Sequence, residues 1–107
     1  MADEEKVRQA MERVNGKMSL AFLRHVAEAA MRGETLTVGD DLARKFGVSD
    51  SGSLGGAIGT AASTLARITG RWVADRIDVN PSVWRMSEAD ASLILAILDE
   101  RDKKRAA

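Results

Sequence analysis

The sequence contains no cysteine and only one histidine, His25. The first absence excludes disulfides and thiolate metal sites, and the second excludes a zinc site built from several imidazoles. His25 has no serine, cysteine or metal-ligand partner at a recognisable spacing, so we interpret it as a surface or boundary residue. Asp40 and Asp41 could suggest a metal site, but their position at a predicted helix start has a simpler explanation. Acidic side chains there interact favourably with the positive end of the helix dipole. We therefore predict a protein that is not an enzyme and that holds no metal or cofactor.

Long apolar runs are missing as well. No stretch approaches the roughly 20 residues that a membrane-spanning helix needs, and the N-terminal MADEEKVRQ lacks the pattern of a signal peptide. We expect a soluble cytoplasmic protein with no membrane partner. The 107 residues, 45% of them apolar, suit one domain with its own core.

The chain has no excess charge of either sign, with 16 Lys and Arg against 16 Asp and Glu. Nucleic-acid-binding domains are usually basic, so this balance counts against such a function unless the charges segregate. They partly do so between residues 42 and 85. There the basic residues are Arg44, Lys45, Arg67, Arg71, Arg76 and Arg85, and the acidic residues are Asp50, Asp75 and Asp78.

Two apolar patterns predict helical structure before residue 34. The first is an N-terminal helical arm over residues 1–18, with a stripe of Val7, Met11, Val14 and Met18. Asn15-Gly16 then marks a turn. A broader apolar face runs from Ser19 to Met31, and Gly33 is placed to end that helix in the left-handed conformation. The sequence leaves open whether the arm belongs to the core and whether one bent helix or two are formed.

The middle of the chain alternates short elements. Glu34–Val38 predicts a strand stub, and Thr37 with Asp40 has the spacing of a capping box that opens a helix over Val38–Phe46, ended by Gly47. A serine-rich turn leads into a longer helix that ends near Gly70. Its apolar stripe is Leu54, Ile58, Ala61, Leu65 and Ile68. Its opposite face is nearly bare: Gly52, Gly56, Gly59, Ser63 and Arg67, flanked by Ser53 and Thr60.

Residues 71–86 predict a β-hairpin, with Arg76, Asn80 and Arg85 near its tip. Trp72 and Trp84 are expected to sit on its paired strands and to pack there. Ser87 and Asp90 repeat the cap pattern and open a last helix. The centre of that helix, Leu93–Leu98, is apolar all round and needs cover on more than one side.

The order of these elements resembles that of a winged helix-turn-helix domain. The stretch TVGDDLARKFGVSDS carries the resemblance: Ala43 packs against the second helix, Gly47 makes the turn, Val48 is the buried aliphatic and Ser49 is the cap. The match covers about residues 20–86. It implies a mostly α fold with a small β-hairpin wing, a core over residues 19–86, and extra helices over residues 1–18 and 87–107.

The resemblance also implies a DNA-binding protein, a small transcriptional regulator whose helix near Ser53–Gly70 enters the major groove of double-stranded DNA. The candidate contacts are Lys45, Ser49, Ser51, Ser53, Thr60, Ser63, Arg67, Arg71, Arg76 and Arg85. Base-reading helices usually project Arg, Lys, Asn or Gln, and this face offers only Arg67. The alternative is a protein–protein adaptor without sequence-specific DNA binding.

The helices outside residues 19–86 either pack on each other or form a two-fold dimer. We expect a homodimer through the N-terminal helix, the C-terminal helix or both, with residues 87–107 as a candidate dimerisation element. The glycine cluster is not a phosphate loop, because no Lys lies between Lys45 and Lys103. Two interpretations stay open. Gly55, Gly59 and Ser63 form a surface for close contact, or Gly55 or Gly56 only relieves crowding inside the core.

Overall fold

The structure is a computed structural model that describes residues 2–48, 54–79 and 81–106. Over these residues the chain forms five helices, α1 (Ala2–Glu12), α2 (Lys17–Met31), α3 (Asp40–Lys45), α4 (Gly55–Thr69) and α5 (Glu88–Ala106). It also forms three strands, β1 (Leu36–Val38), β2 (Asp75–Val79) and β3 (Ser82–Arg85). The predicted mostly helical fold with a β-hairpin is confirmed.

The N-terminal arm is a separate helix that belongs to the core. Helix α1 ends at Glu12, and Gly16, in an extended conformation, is the N-cap of α2. Val7, Ala10 and Met11 are fully buried, where α1 packs against α4 and α5. The predicted apolar stripe therefore lies under two other helices of the same chain.

Helix α2 is the centre of the helical layer. Its apolar face buries Phe22, Leu23 and Val26, and it contacts α4, α5 and the sheet. The buried Ser19 hydroxyl donates a 2.8 Å hydrogen bond to the carbonyl oxygen of Ala57 on α4. A buried hydroxyl needs such a partner, so this bond helps to set the position of α4 on α2.

The strand stub joins the hairpin in one antiparallel sheet of order β1-β3-β2. Leu36 lies opposite Trp84 and Val38 opposite Ser82, so β1 pairs with the second strand of the hairpin. Between β2 and β3 the register shifts at Ile77, which lies between the paired residues Arg76 and Asp78. This bulge leaves Ile77 without a cross-strand partner.

The predicted start of the third helix is wrong. Thr37 lies in β1 opposite Val83 and does not cap a helix, because its backbone is used in the sheet. Helix α3 begins at Asp40, and its N-cap is Gly39 in an extended conformation. The three predicted glycine stops are confirmed, since Gly33, Gly47 and Gly70 have φ of 74°, 80° and 78°.

The two tryptophans do not face each other across the hairpin. Strand β2 begins at Asp75, so Trp72 lies in the preceding loop and is 60% exposed. Val73 and Ala74 are buried in the same loop, and this leaves Trp72 on the outside. Trp84 on β3 is only 6% exposed and packs edge-on against Phe22, with ring centroids 5.3 Å apart. Of the two tryptophans, only Trp84 lies in the core.

The last helix begins as predicted. The backbone N–H of Asp90 donates a 3.1 Å hydrogen bond to the Ser87 hydroxyl, which is the expected cap. The apolar centre of α5 is covered mainly by α2 and α1, and its buried residues are Ala91, Ile94, Ile97 and Leu98. Most of the surface assigned to dimerisation is thus used within the chain, and the homodimer stays a prediction.

Candidate functional site

A groove of about 740 Å³ lies between α4 and the sheet. Helix α4 contributes small residues to it, and the sheet and the loops beside it contribute larger ones. From α4 come Gly55, Ile58, Gly59, Ala62 and Ser63; from the rest of the chain come Val38, Gly39, Asp40, Trp72, Asp75, Arg76, Val79, Pro81, Ser82 and Trp84. This groove borders the outward face of α4, since Gly55, Gly59 and Ser63 line it.

The outward face of α4 is as bare as its sequence predicts. Leu54, Ile58, Ala61 and Leu65 are buried, whereas the exposed residues are Gly55, Gly56, Thr60, Ser63 and Arg67. From Gly55 to Ser63, no outward side chain is larger than that of Thr60. The helix backbone is therefore nearly uncovered along its first two and a half turns.

The glycines of α4 do not relieve crowding in the core. A Cβ atom built at Gly55, Gly56 or Gly59 would meet no heavy atom within 4 Å. The interpretation that the core requires these glycines is therefore wrong. Glycine inside a helix costs about 0.5–1 kcal/mol relative to alanine, so the bare face weakens α4 and no internal packing compensates for it.

Arg71, one of the predicted DNA contacts, is held by two carboxylates. Its guanidinium donates to both oxygens of Asp90 at 2.7 and 2.8 Å, and to those of Asp3 at 2.8 and 3.2 Å. The hydrogen bonds that Arg71 donates, first to Asp90 and then to Asp3, raise the pKa of Arg71. The bond to Arg71 in turn lowers the pKa of Asp3. Arg71 joins the loop after α4 to α1 and α5, with its charge already balanced.

The arginines of the hairpin lie toward its base, not near its tip as predicted. Arg85 is paired in register with Asp75, and its guanidinium lies 3.2 Å from the Asp75 carboxylate. Arg76 is opposite Trp84, and its guanidinium carbon lies 5.9 Å from the centre of the indole ring. That geometry permits a cation–π contact between Arg76 and Trp84, both of which line the groove. Asn80 lies outside the described residues.

The remaining predicted contacts that the structure describes lie on α4, on β2 and at the end of α3. Ser49, Ser51 and Ser53 lie outside the described residues. Ser63 lines the groove together with Arg76, and it also lines a smaller depression together with Arg67. Arg67 and Arg76 therefore lie on either side of Ser63, while Lys45 is exposed at the end of α3. Lys45, Arg67 and Arg76 form no ion pair with any carboxylate of the described residues.

Two residues of the groove were not among the predicted contacts. Trp72 and Val79 are 60% and 69% exposed and both line it. The apolar character of both residues is visible in the sequence, but their exposure depends on where β2 begins. The buried pair Val73-Ala74 after the helix-ending Gly70 is the local pattern that would have placed Trp72 outside the sheet.

Within residues 2–48, 54–79 and 81–106, no cluster of three or more His, Cys, Asp or Glu side chains is arranged to bind a metal ion. Nor does any helix in that part of the chain have the length and apolarity for a membrane crossing. Comparison of the chain with protein-family models, with curated proteins and with solved structures finds no significant match.

Proposed function

We propose that residues 17–86 form a winged helix-turn-helix domain and that the chain binds double-stranded DNA through α4. The order α2, β1, α3, α4, β2, β3 supports this fold, as does an antiparallel sheet in which β1 pairs with the second strand of the hairpin. In such domains the second helix of the helix-turn-helix enters the major groove. Helix α4 corresponds to that helix in chain order.

The bare outward face of α4 is the observation that carries the proposal. A helix whose first residues carry only hydrogen, methyl or hydroxyl groups allows its backbone to approach another backbone closely. The hydroxyls of Thr60 and Ser63 are suited to phosphate oxygens, as are backbone N–H groups. Arg67 and Arg76, on either side of Ser63, supply positive charge next to this face.

The set of proposed phosphate contacts becomes smaller than the sequence suggested. Arg71 and Arg85 already pair with carboxylates, so we propose Lys45, Arg67 and Arg76 as the cations that contact phosphates. Three neutralised phosphates give a salt slope of about −2.7, which is roughly a 40-fold loss of affinity between 50 and 200 mM salt. DNA binding should therefore be measurable at low salt and weak at high salt.

The test is a titration of a fluorescently labelled duplex at those two salt concentrations. We expect the Arg67→Ala/Arg76→Ala variant to bind more weakly and with a shallower salt slope. The matched control is Lys103→Ala/Lys104→Ala, which removes the same charge from exposed positions on α5. Absence of binding at both salt concentrations would rule out the proposal, and equal loss in both variants would rule out the proposed contacts.

A protein partner in the groove is the second candidate, and a specific observation favours it. Trp72 and Val79 are exposed apolar residues that line the groove. Large exposed apolar side chains often mark protein contacts. A photocrosslinking amino acid at position 72 separates the two functions: nuclease-sensitive adducts indicate DNA, and adducts that only protease removes indicate a protein.

A further inference from the structure

We infer that the groove between α4 and the sheet binds a small planar organic anion, an aromatic carboxylate. Arg76 would pair with the carboxylate group, and the indoles of Trp72 and Trp84 would contact the planar part of the ligand. The inference goes beyond the DNA binding proposed above and does not depend on it, because it concerns a small molecule in the groove and not a duplex on the outward face of α4.

The first argument is the size and the composition of the groove. Its volume is about 740 Å³, which lies within the range of roughly 300–1,000 Å³ that is typical of small-molecule sites. Such sites combine mostly apolar walls with a few polar groups that orient the ligand. Ile58, Ala62 and Val79 are among the apolar lining residues, and Ser63 and Arg76 are among the polar ones. The groove therefore has the volume and the mixed lining of a site for a small organic molecule.

The second argument is the charge that remains available in the groove. Arg76 is the only Lys or Arg among the described residues that line it, and its guanidinium forms no ion pair with any of their carboxylates or with those elsewhere in the described chain. Two carboxylates also line the groove, but both are engaged. Asp75 pairs with Arg85 at 3.2 Å, and Asp40, at the start of α3, is not free either. The charge that the groove can still bind through Arg76 is therefore negative.

The position of the Arg76 guanidinium suits a carboxylate. Its central carbon lies 5.9 Å from the centre of the ring of Trp84, the residue opposite Arg76 in the sheet. A cation–π contact of this kind restricts the guanidinium. The N–H groups of a guanidinium form a planar fork that matches the two oxygens of a carboxylate. Because Arg76 is already restricted, it loses less side-chain entropy on binding an anion than a mobile surface arginine does.

The third argument is an unpaired donor on a lining residue. Trp84 lines the groove and is only 6% exposed, and its buried indole N–H has no hydrogen-bond acceptor within the part of the chain that the structure describes. Most buried donors in folded proteins are paired, because an unpaired one costs free energy. A carboxylate bound to Arg76 would bring an acceptor to the residue that lacks one.

Trp72 supplies an exposed aromatic surface for the rings of the ligand. Its side chain is 60% exposed, and it lines both the groove and the smaller depression beside Arg67. Stacking with a planar molecule would remove part of this apolar surface from water, which is favourable. A planar organic anion therefore matches the groove better than a compact anion such as inorganic phosphate.

An NMR titration of the isotope-labelled protein, followed through its amide and indole N–H signals, tests the inference without any DNA. The probes are naphthoate and cinnamate, each compared with its uncharged primary amide. We expect saturable shifts of the groove residues and a downfield shift of the Trp84 indole signal. Each carboxylate should bind about 10-fold or more tightly than its amide. Absence of saturable shifts with both carboxylates, or equal affinities for acid and amide, would overturn the inference.

Three variants test the proposed contacts. Arg76→Gln removes the charge, so its affinity for each carboxylate should fall to that for the amide. Trp84→Phe keeps an aromatic ring and removes the N–H, so carboxylate binding should weaken by about 3-fold or more while the melting temperature is nearly retained. Arg32→Gln, which removes an exposed arginine that does not line the groove, is the matched control and should bind as the parent does.

The outcomes of these variants are separable from those of the duplex titration. A preference for the acid that persists in Arg76→Gln, unchanged affinity in Trp84→Phe, or an equal loss in Arg32→Gln would each overturn the inference. None of these results depends on whether the chain binds DNA.

Discussion

Arg71 and Asp90 form a two-pronged ion pair, with both guanidinium nitrogens within 2.8 Å of the two carboxylate oxygens. Asp90 lies in the first turn of α5, where its own N–H is capped by Ser87. Arg71 follows the left-handed Gly70 at the end of α4. The pair therefore ties the exit of α4, and with it the proposed interface, to the start of the last helix.

Arg71→Ala should destabilise the fold. The Asp90 side chain is only 12% exposed, and without Arg71 its charge would be left buried without a partner. We expect a loss of roughly 1–3 kcal/mol in the free energy of unfolding, measured by urea denaturation. Arg85→Ala breaks a more exposed pair with Asp75 and should cost less than about 1 kcal/mol. Equal losses in the two variants would contradict this assignment.

The contact between Asp3 and Arg71 makes stability depend on pH. The hydrogen bond from Arg71 lowers the pKa of Asp3 in the folded chain. The ion pair therefore adds to the free energy of unfolding at pH values above the unfolded pKa of Asp, about 3.9. This added stability is lost as the pH falls through the lower pKa that Asp3 has in the folded chain. Asp3→Asn should lower the urea midpoint at pH 7, and this effect should shrink as the pH falls below about 4. Glu5→Gln, on the same helix, should leave the midpoint unchanged.

Alanine at the exposed glycines should stabilise the protein. Gly56→Ala and Gly59→Ala place a methyl group in open space and improve helix propensity, by about 0.5–1 kcal/mol each. Gly70→Ala is the contrasting variant, because a φ of 78° is unfavourable for any residue with a side chain. We expect it to lower the melting temperature while the other two raise it. Destabilisation by Gly59→Ala would indicate an unrecognised contact at that position.

The variant Trp84→Phe should fold with nearly unchanged stability, and it allows the environment of Trp72 to be measured by fluorescence. The indole N–H of Trp84 is buried and has no hydrogen-bond partner among the described residues. In Trp84→Phe the relief of that unpaired group offsets the lost packing against Phe22, so stability should change by about 1 kcal/mol or less. Trp72 is then the sole fluorophore, and its emission should be that of a solvent-exposed indole. Emission typical of a buried indole would contradict the exposed position of Trp72.

Local patterns were predictable from the sequence where the reason for them is local. The stripe from Leu54 to Leu65 is buried as its spacing predicts, because residues three and four apart share one side of a helix. Gly33, Gly47 and Gly70 adopt positive φ, which follows from the lack of a Cβ. Ser87 caps α5 through a hydrogen bond that spans three residues. Each of these features depends on residues no more than about four positions apart in the sequence.

The candidate interface was only half predictable for the same reason. The bare face of α4 follows from helical periodicity. The ion pair that makes Arg71 unavailable for a phosphate joins it to Asp3, which lies 68 positions away in the sequence. Strand β1 pairs with β3 and not with its neighbours in sequence, and this pairing moved Thr37 from a helix cap into the sheet.

The sequence by itself therefore determined which apolar stripes the helices bury, that α2, α3 and α4 stop at Gly33, Gly47 and Gly70, and which side of α4 stays small. The tertiary structure decided which charges remain available, where Trp72 lies and that α1 is part of the core. Periodicity and capping act within a few residues and leave a local signature. Ion pairs and strand partners depend on which distant segments the packed helices bring together, and no local spacing records that choice.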